Sequence, residues 1–318
     1  MPWADRVKGI LEAYLGGQAV GGAEYDILFG KVNPSAKLPE TFPKQLEDNP
    51  SYLAGFGEGD HVEYLNFPGN RDKVNYNEGI FIGYRYYDKK KMDVLFPFGY
   101  GLSYTTFAYS NLRLDKKTMK DTEELTVSVD VTNTGDRAGK EVVQLYVADK
   151  ESTVIRPVKE LRDFVKIELA PGETKTVTFT LGKRAFAYYD VQIHDWQVET
   201  GEFEILIGAS SRDIALRDTV TVESTVKIPF HYTTDTTMGD IMSRPEAWKL
   251  VQSVLSKGMF GQGSEVNEGG DAAKEAISDE MNAAMLQYMP LRGPVSFGGG
   301  VSMADVQKLV DRLNAMEK

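Results

Sequence analysis

Between about Thr106 and Glu223 apolar and polar residues alternate with a period of two, in residues 125–131 (LTVSVDV), 141–149 (EVVQLYVAD), 175–181 (KTVTFTL) and 201–210 (GEFEILIGAS). A helix would scatter such residues around its circumference, whereas a strand sends them all to one side, so each segment buries one face. Turn signals at Asn133-Thr134-Gly135-Asp136, Pro171-Gly172 and Thr200-Gly201 interrupt the runs at hairpin-like intervals. Short alternating strands with regular breaks specify an antiparallel β-sandwich. Its core is expected to hold Tyr146, Phe164, Phe179, Trp196 and Phe203.

The flanks read differently. Two short helices are predicted over 5–15 and 18–29, parted by Gly16-Gly17, with Val7, Ile10, Leu11, Tyr14 and Leu15 forming one apolar stripe. No strand precedes them, so whatever sheet they cover must come from other residues. From Gly30 to Tyr104 glycine, proline and aromatic residues dominate, which predicts ordered loops and very short strands. After Pro229 helices are expected over 238–256, 272–289 and 304–316, with Ser302 and Asp305 capping the last. Their one-sided apolar faces (Met281, Met285, Leu286, Met289; Val306, Leu309, Val310, Leu313) suggest docking helices without a core of their own.

The 318 residues allow about two domains. A hydrophobic content of 42% with 26% charged residues excludes disordered and collagen-like classes. The net charge of −11 argues against a nucleic-acid partner, which would need a basic face. No apolar run reaches the roughly 18 residues of a membrane span, and no membrane partner is expected. The absence of cysteine rules out disulfides and thiol chemistry, and it suits a reducing, cytoplasmic setting.

His61, His194 and His231 lie far apart, so no metal site and no cofactor are predicted. The glycine clusters at 16–22 and 298–300 lack the strand that a nucleotide fingerprint needs, and no GxSxG elbow occurs. The most suggestive stretch is RDKVNYNEGIFIGYRYYDKKK (71–91), which crowds Tyr76, Phe81, Tyr84, Tyr86 and Tyr87 beside Arg71, Asp72, Glu78, Arg85 and Asp88. Flat aromatic faces beside charged groups suit a sugar. The same GIFIGYRYYD also reads as a half-buried strand with Phe81, Tyr84 and Tyr86 in the core.

Seven motifs occur in unbroken order: GQAVGGAEYDILFGKVNPSAKLPETFP, NYNEGIFIGYRYYD, FPFGYGLSYTTFAYSNL, VTNTGDRAGKEVVQLYV, RPVKELRDF, LAPGETKTVTFTL and GEFEILIGASSRDI. From Trp3 to about Glu223 the chain resembles the C-terminal half of a family 3 glycoside hydrolase of the bacterial β-glucosidase type, and the tail resembles a helical extension of some members. The resemblance implies a mixed α and β architecture: the C-terminal portion of an α/β-sandwich domain at 1–104, an immunoglobulin/fibronectin-III-like β-sandwich at 105–226 and a helical extension at 227–318. It also implies a retaining hydrolysis of β-linked glucosides or related oligosaccharides by two carboxyl groups about 5–5.5 Å apart.

In that family the nucleophilic aspartate belongs to a Ser-Asp-Trp-like motif in the barrel, and the acid/base glutamate follows Ser-Gly-Glu. Neither tripeptide occurs here, so no catalytic residue is assigned. Glu58, in Gly57-Glu58-Gly59, is expected to be a solvated loop carboxylate. Arg71 and Tyr76 are the candidate substrate contacts, at the mouth of a barrel supplied in cis or trans by an N-terminal half. Three readings follow: one part of an enzyme, a non-catalytic scaffold or carbohydrate-binding module, or a degenerate paralogue that kept the fold. The first predicts exposed apolar surface on 5–15 and 18–29.

Overall fold

The computed structural model describes residues 1–50, 52–56, 63–65, 76, 78–191, 193–254, 284, 287–296 and 302–317. Contacts divide the chain into two compact units, Met1–Val226 and Lys227–Lys318. In chain order the first unit holds helix α1 (Val20–Leu28), strands β1 (Phe42–Pro43), β2 (Tyr52–Phe56) and β3 (Glu63–Leu65), helix α2 (Tyr84–Lys89) and strand β4 (Val94–Phe96). The sandwich follows with β5 (Phe107–Leu114), β6 (Thr118–Lys120), β7 (Leu125–Asn133), β8 (Gly139–Asp149), β9 (Glu160–Leu169) and β10 (Thr174–Leu181). It closes with β11 (Tyr188–Asp190), β12 (Asp195–Gln197), β13 (Gly201–Gly208) and β14 (Ile214–Glu223).

Two sheets, ordered β10-β7-β5 and β6-β14-β13-β8-β9, face each other, and only β6 and β14 run parallel. Alternate residues of β7 (Leu125, Val127, Val129 and Val131) are fully buried against Val143, Leu145, Phe203, Ile205, Ile207, Val220 and Val222. Period-two alternation thus does here what it does in any sheet with one dry face. Strands β8 and β13 are dry on both faces over 143–148 and 205–208. Tyr146, Ala148 and Leu206 point away from the inter-sheet core and are covered by Tyr84, Phe98, Leu161 and Ile214. That double covering explains why their sequences run on as QLYVA and ILIGA instead of alternating.

Of the expected core aromatics, Phe179 and Phe203 fill the inter-sheet space and Tyr146 is buried on the opposite face. Trp196 is partly buried against the core, with the Arg184 guanidinium 3.5 Å over its ring. Phe164 departs from the expectation, being 61% exposed. It sits on β9, an edge strand whose inward positions are taken by Val165 and Ile167, so period two placed Phe164 on the outer side.

The helix expected over 5–15 does not form. A 3-10 turn at Ala4–Arg6 leads into irregular chain, with Tyr14 at φ 47° and Val7, Ile10, Leu11 and Leu15 exposed. A short helix is stable only when its apolar face is packed, and this face has no cover among the described residues. α1 does form within 18–29 and ends at Gly30, whose φ of 69° suits a residue without a Cβ while its N–H donates to the Ile27 carbonyl. The half-buried strand read into GIFIGYRYYD is a helix instead: α2 starts behind Gly83, at φ 54°, ψ −138°, a conformation that side chains resist.

In the second unit the helix expected over 238–256 is two, α3 (Met238–Met242) and α4 (Pro245–Val254), because Pro245 disfavours helical geometry in the residue before it while suiting a first turn. The expectation for 272–289 lies mostly outside the described residues. Helices α5 (Gly293–Ser296) and α6 (Met303–Met316) follow. Ser302 caps α6 reciprocally with Asp305: the Asp305 N–H donates to Ser302 Oγ at 3.2 Å and the Ser302 N–H to Asp305 Oδ2 at 3.4 Å. These helices do have a core, correcting the docking-helix expectation. Tyr232, Met238, Ile241, Ala247, Val251, Leu291, Val306, Leu309, Val310 and Leu313 are buried together.

Candidate functional site

Of the two candidate sugar contacts, Arg71 lies outside the described residues, as do Glu58 and His61, and Tyr76 is 76% exposed. Asp72 also lies outside the described residues, and Tyr84, Arg85, Tyr87 and Asp88 are committed elsewhere. Tyr84 stacks on Phe98 at 4.8 Å, meets Tyr146 edge-on at 6.0 Å, and its hydroxyl accepts the Leu161 N–H at 2.8 Å. Four residues on, along the same helix face, Asp88 accepts from Arg212 Nε at 3.2 Å and from Lys159 Nζ. Tyr87 is 3% exposed, and burial, then the Asp48 charge, pushes its hydroxyl up to about 12. Aromatic and charged groups that read as a sugar platform are therefore the means by which α2 grips the sandwich.

The grip belongs to a larger array that sequence reasoning missed. Glu160 receives Arg162 Nη2 at 2.6 Å, Arg85 Nη2 at 3.3 Å and Arg156 Nη2 at 3.5 Å. Arg156 also donates to Asp149 at 3.0 Å and to the Phe186 carbonyl at 2.9 Å. Burial raises the Asp149 carboxyl above its ordinary range and outweighs the Arg156 charge that lowers it. Burial lowers Arg162 as well, with the like charges of Arg156 and Arg85 adding to the fall against the opposing pull of Glu160. The crowding of charge in RPVKELRD was the available signal, since so many ions within eight residues cannot all be solvated on one strand.

A second buried pair ties the NPSAKLP segment to β8. Lys37 Nζ lies 3.1 Å from Glu141 Oε1 and donates to the Gly101 carbonyl at 3.1 Å, and the Tyr109 hydroxyl donates to the same carboxylate oxygen at 3.0 Å. The buried carboxylates Asp88, Asp149, Glu141 and Glu160 are thus all held by cations. That arrangement suits holding segments together and leaves none of the four open to a sugar. Among the described residues no group of three or more His, Cys, Asp or Glu side chains is placed to hold a metal ion, and His194 and His231 are both exposed. No helix among them is long and apolar enough to cross a membrane.

Residues 1–104 match the family model described as the glycosyl hydrolase family 3 C-terminal domain, and residues 141–211 match the fibronectin type III-like domain. The chain is 52% identical over all 318 residues to thermostable beta-glucosidase B of Acetivibrio thermocellus, covering 39% of that protein. Over 261 residues, 82% of the chain, it is 43% identical to an exo-alpha-(1->6)-L-arabinopyranosidase of Bifidobacterium breve and covers 32% of it. Among solved structures, the crystal structure of Bifidobacterium adolescentis GH3 beta-glucosidase superimposes with a TM-score of 0.67 at 42% identity, over 79% of this chain and 35% of that one. The chain spans well under half the length of each of these relatives.

Proposed function

This chain belongs to glycosyl hydrolase family 3, and on that premise we propose that it is the C-terminal part of a retaining β-glucosidase-type hydrolase. It works with an N-terminal barrel half, in cis or in trans, on β-linked glucosides or related oligosaccharides. The observation that carries the reading is the match of the whole chain, at 52% identity, to 39% of a β-glucosidase. Two further features support it. No Ser-Asp-Trp or Ser-Gly-Glu occurs in the sequence, and Leu15, Leu28 and Phe29 are 101%, 66% and 71% exposed, as expected of a face that another segment covers.

Residues 1–104 are then the end of the α/β-sandwich domain, 105–226 the fibronectin-like domain and 227–318 the helical extension, with Arg71 and Tyr76 at the rim of the sugar site. A reducing, cytoplasmic setting belongs to the same proposal, in keeping with a cysteine-free sequence. The test is a chromogenic aryl β-glucoside given to the chain alone and to the chain mixed with a separately expressed N-terminal portion. Turnover is expected only in the mixture. Turnover by the chain alone refutes the assignment of both carboxyl groups to the missing part. Sugar binding that never leads to turnover refutes the enzyme reading and selects the binding module. In the active mixture Arg71→Ala is expected to raise KM, and an unchanged KM removes the rim contact.

A further inference from the structure

A helix of six residues is not stable on its own in water, and α2 is tied down at more points than its packing requires. Tyr146, Ala148 and Leu206 are covered by Tyr84, Phe98, Leu161 and Ile214, of which α2 supplies Tyr84 alone. Its charged residues add ties that cover nothing apolar. Asp88, with a side chain 8% exposed, accepts from Lys159 Nζ, just ahead of β9, and from Arg212 Nε in the β13–β14 turn. Arg212 Nη2 also donates to the Met92 carbonyl at 2.7 Å, and the Met92 N–H donates to the Tyr87 carbonyl at 2.9 Å, so the far end of the helix is pinned as well. At the near end the chain enters through Gly83 at φ 54°, ψ −138°, which sets its direction of approach. Just upstream the Phe81 N–H donates to the Glu78 carbonyl at 3.0 Å, closing a turn on the short path back to Tyr76, and Lys89 Nζ lies 5.8 Å over the Phe81 ring.

We propose that Lys159 and Arg212 of the fibronectin-like sandwich are positioning residues for the sugar site: by holding Asp88 they fix α2, and α2 fixes the turn at 78–81 and with it Tyr76. The inference rests on the reading given under Proposed function, which puts Tyr76 at the rim, and it gives the sandwich a part in that site. Apolar burial is non-directional, so an apolar face alone lets a short helix slide or rotate. Ion pairs to two fixed points, one ahead of β9 and one in the β13–β14 turn, leave the helix a single register. Burying Asp88 with Lys159 gains little net stability, because both lose their water; its gain is in geometry. A side chain that meets a ligand has to stand within about 0.5 Å of its productive place. Tyr76, 76% exposed, draws no such precision from burial. Among the described residues the first buried side chain downstream of it is Tyr87, on α2.

The experiment measures KM and kcat of the full chain mixed with the N-terminal portion, on the chromogenic aryl β-glucoside, well below the lowest unfolding midpoint of the variants. Tyr76→Ala and Lys159→Met are each expected to raise KM by about three- to tenfold with kcat within about twofold, the pattern of a contact made equally in the ground and transition states. Lys159→Arg keeps a cation beside Asp88 and should recover most of the rise. Lys37→Met breaks a different buried pair to the sandwich and should leave KM within about twofold. In the Tyr76→Ala background Lys159→Met should add less than about twofold, because the two act through one contact. Arg212→Gln, at the more exposed arm of the clamp, repeats the measurement if Lys159→Met does not fold. A mixture without turnover overturns the enzyme reading and this inference together. An unchanged KM for Tyr76→Ala removes the rim contact and the inference while leaving the enzyme reading intact. Positioning alone is overturned if KM rises for Tyr76→Ala and not for Lys159→Met, if Lys159→Met acts equally in both backgrounds, or if Lys37→Met raises KM as much.

Discussion

Replacing Lys37 with methionine isolates the electrostatic tie between the NPSAKLP segment and the sandwich. The side chains of Lys37 and Glu141 are 12% and 6% exposed, and their charged atoms are 3.1 Å apart. At an effective dielectric of about 20 that separation corresponds to about 5 kcal/mol of attraction. The substitution leaves Glu141 buried with the Tyr109 hydroxyl as its remaining donor, and stranding one member of a buried pair costs about 3–5 kcal/mol. For a unit of this size about 2–4 °C is lost per kcal/mol, so the midpoint of the first unit should fall by about 6–20 °C. Trp196, in that unit, reports the transition by fluorescence. Two controls decide whether charge is the cause. Lys37→Met with Glu141→Gln removes both charges while keeping an acceptor for Tyr109, and should recover most of the loss. Acidification should narrow the gap too: a stranded carboxylate takes up its proton at a higher pH when folded than when unfolded, so the variant gains stability as pH falls through that raised value. A loss under about 1 kcal/mol, or a double variant no better than the single one, refutes the argument.

Gly99→Ala should destabilise the first unit by about 1–3 kcal/mol in urea unfolding, since φ is 80° and a Cβ there would lie 2.2 Å from the Gln144 side-chain oxygen. Ser302→Ala should cost about 1 kcal/mol in the second unit, which Trp248 reports, and leave the Trp196 signal unchanged. Asp130 is held below the ordinary carboxylate range by hydrogen bonds from Arg113 first, then Thr176 and Asn111. Its stabilisation is present above the unfolded-state value and is lost as pH falls through the folded one, so Asp130→Asn should flatten the acid limb of a stability–pH profile; an unchanged limb contradicts this.

The sandwich was legible because period two is a local signal: β7 and β10 each present their apolar set to one side, and the four predicted runs are four of its strands. The cap at Ser302 was legible for the same reason, being written within four residues. Errors arose where a distant partner decides. Val7, Ile10 and Leu11 have helical spacing, but no local rule says whether anything covers them. GIFIGYRYYD suited a strand until Phe98 and Tyr146 supplied the surface for one face of α2. The tail's helices looked like parts in need of a host because the residues that close their core, Tyr232 and Leu291, lie outside the periodic segments. For the candidate site, the aromatic and charged residues of 84–88 stand out in the sequence as a group, yet what they hold is visible only with Leu161, Glu160 and Arg212 in place.

The double covering of β8 and β13 sets a rule for anyone wishing to excise the sandwich. A cut at 104/105 would strip Tyr84 and Phe98 from Tyr146 and Leu206, turning a middle layer into a greasy outer wall. A transplantable cassette must therefore begin upstream of α2, and any rearrangement that moved these strands between proteins had to carry the preceding twenty or so residues as their lining.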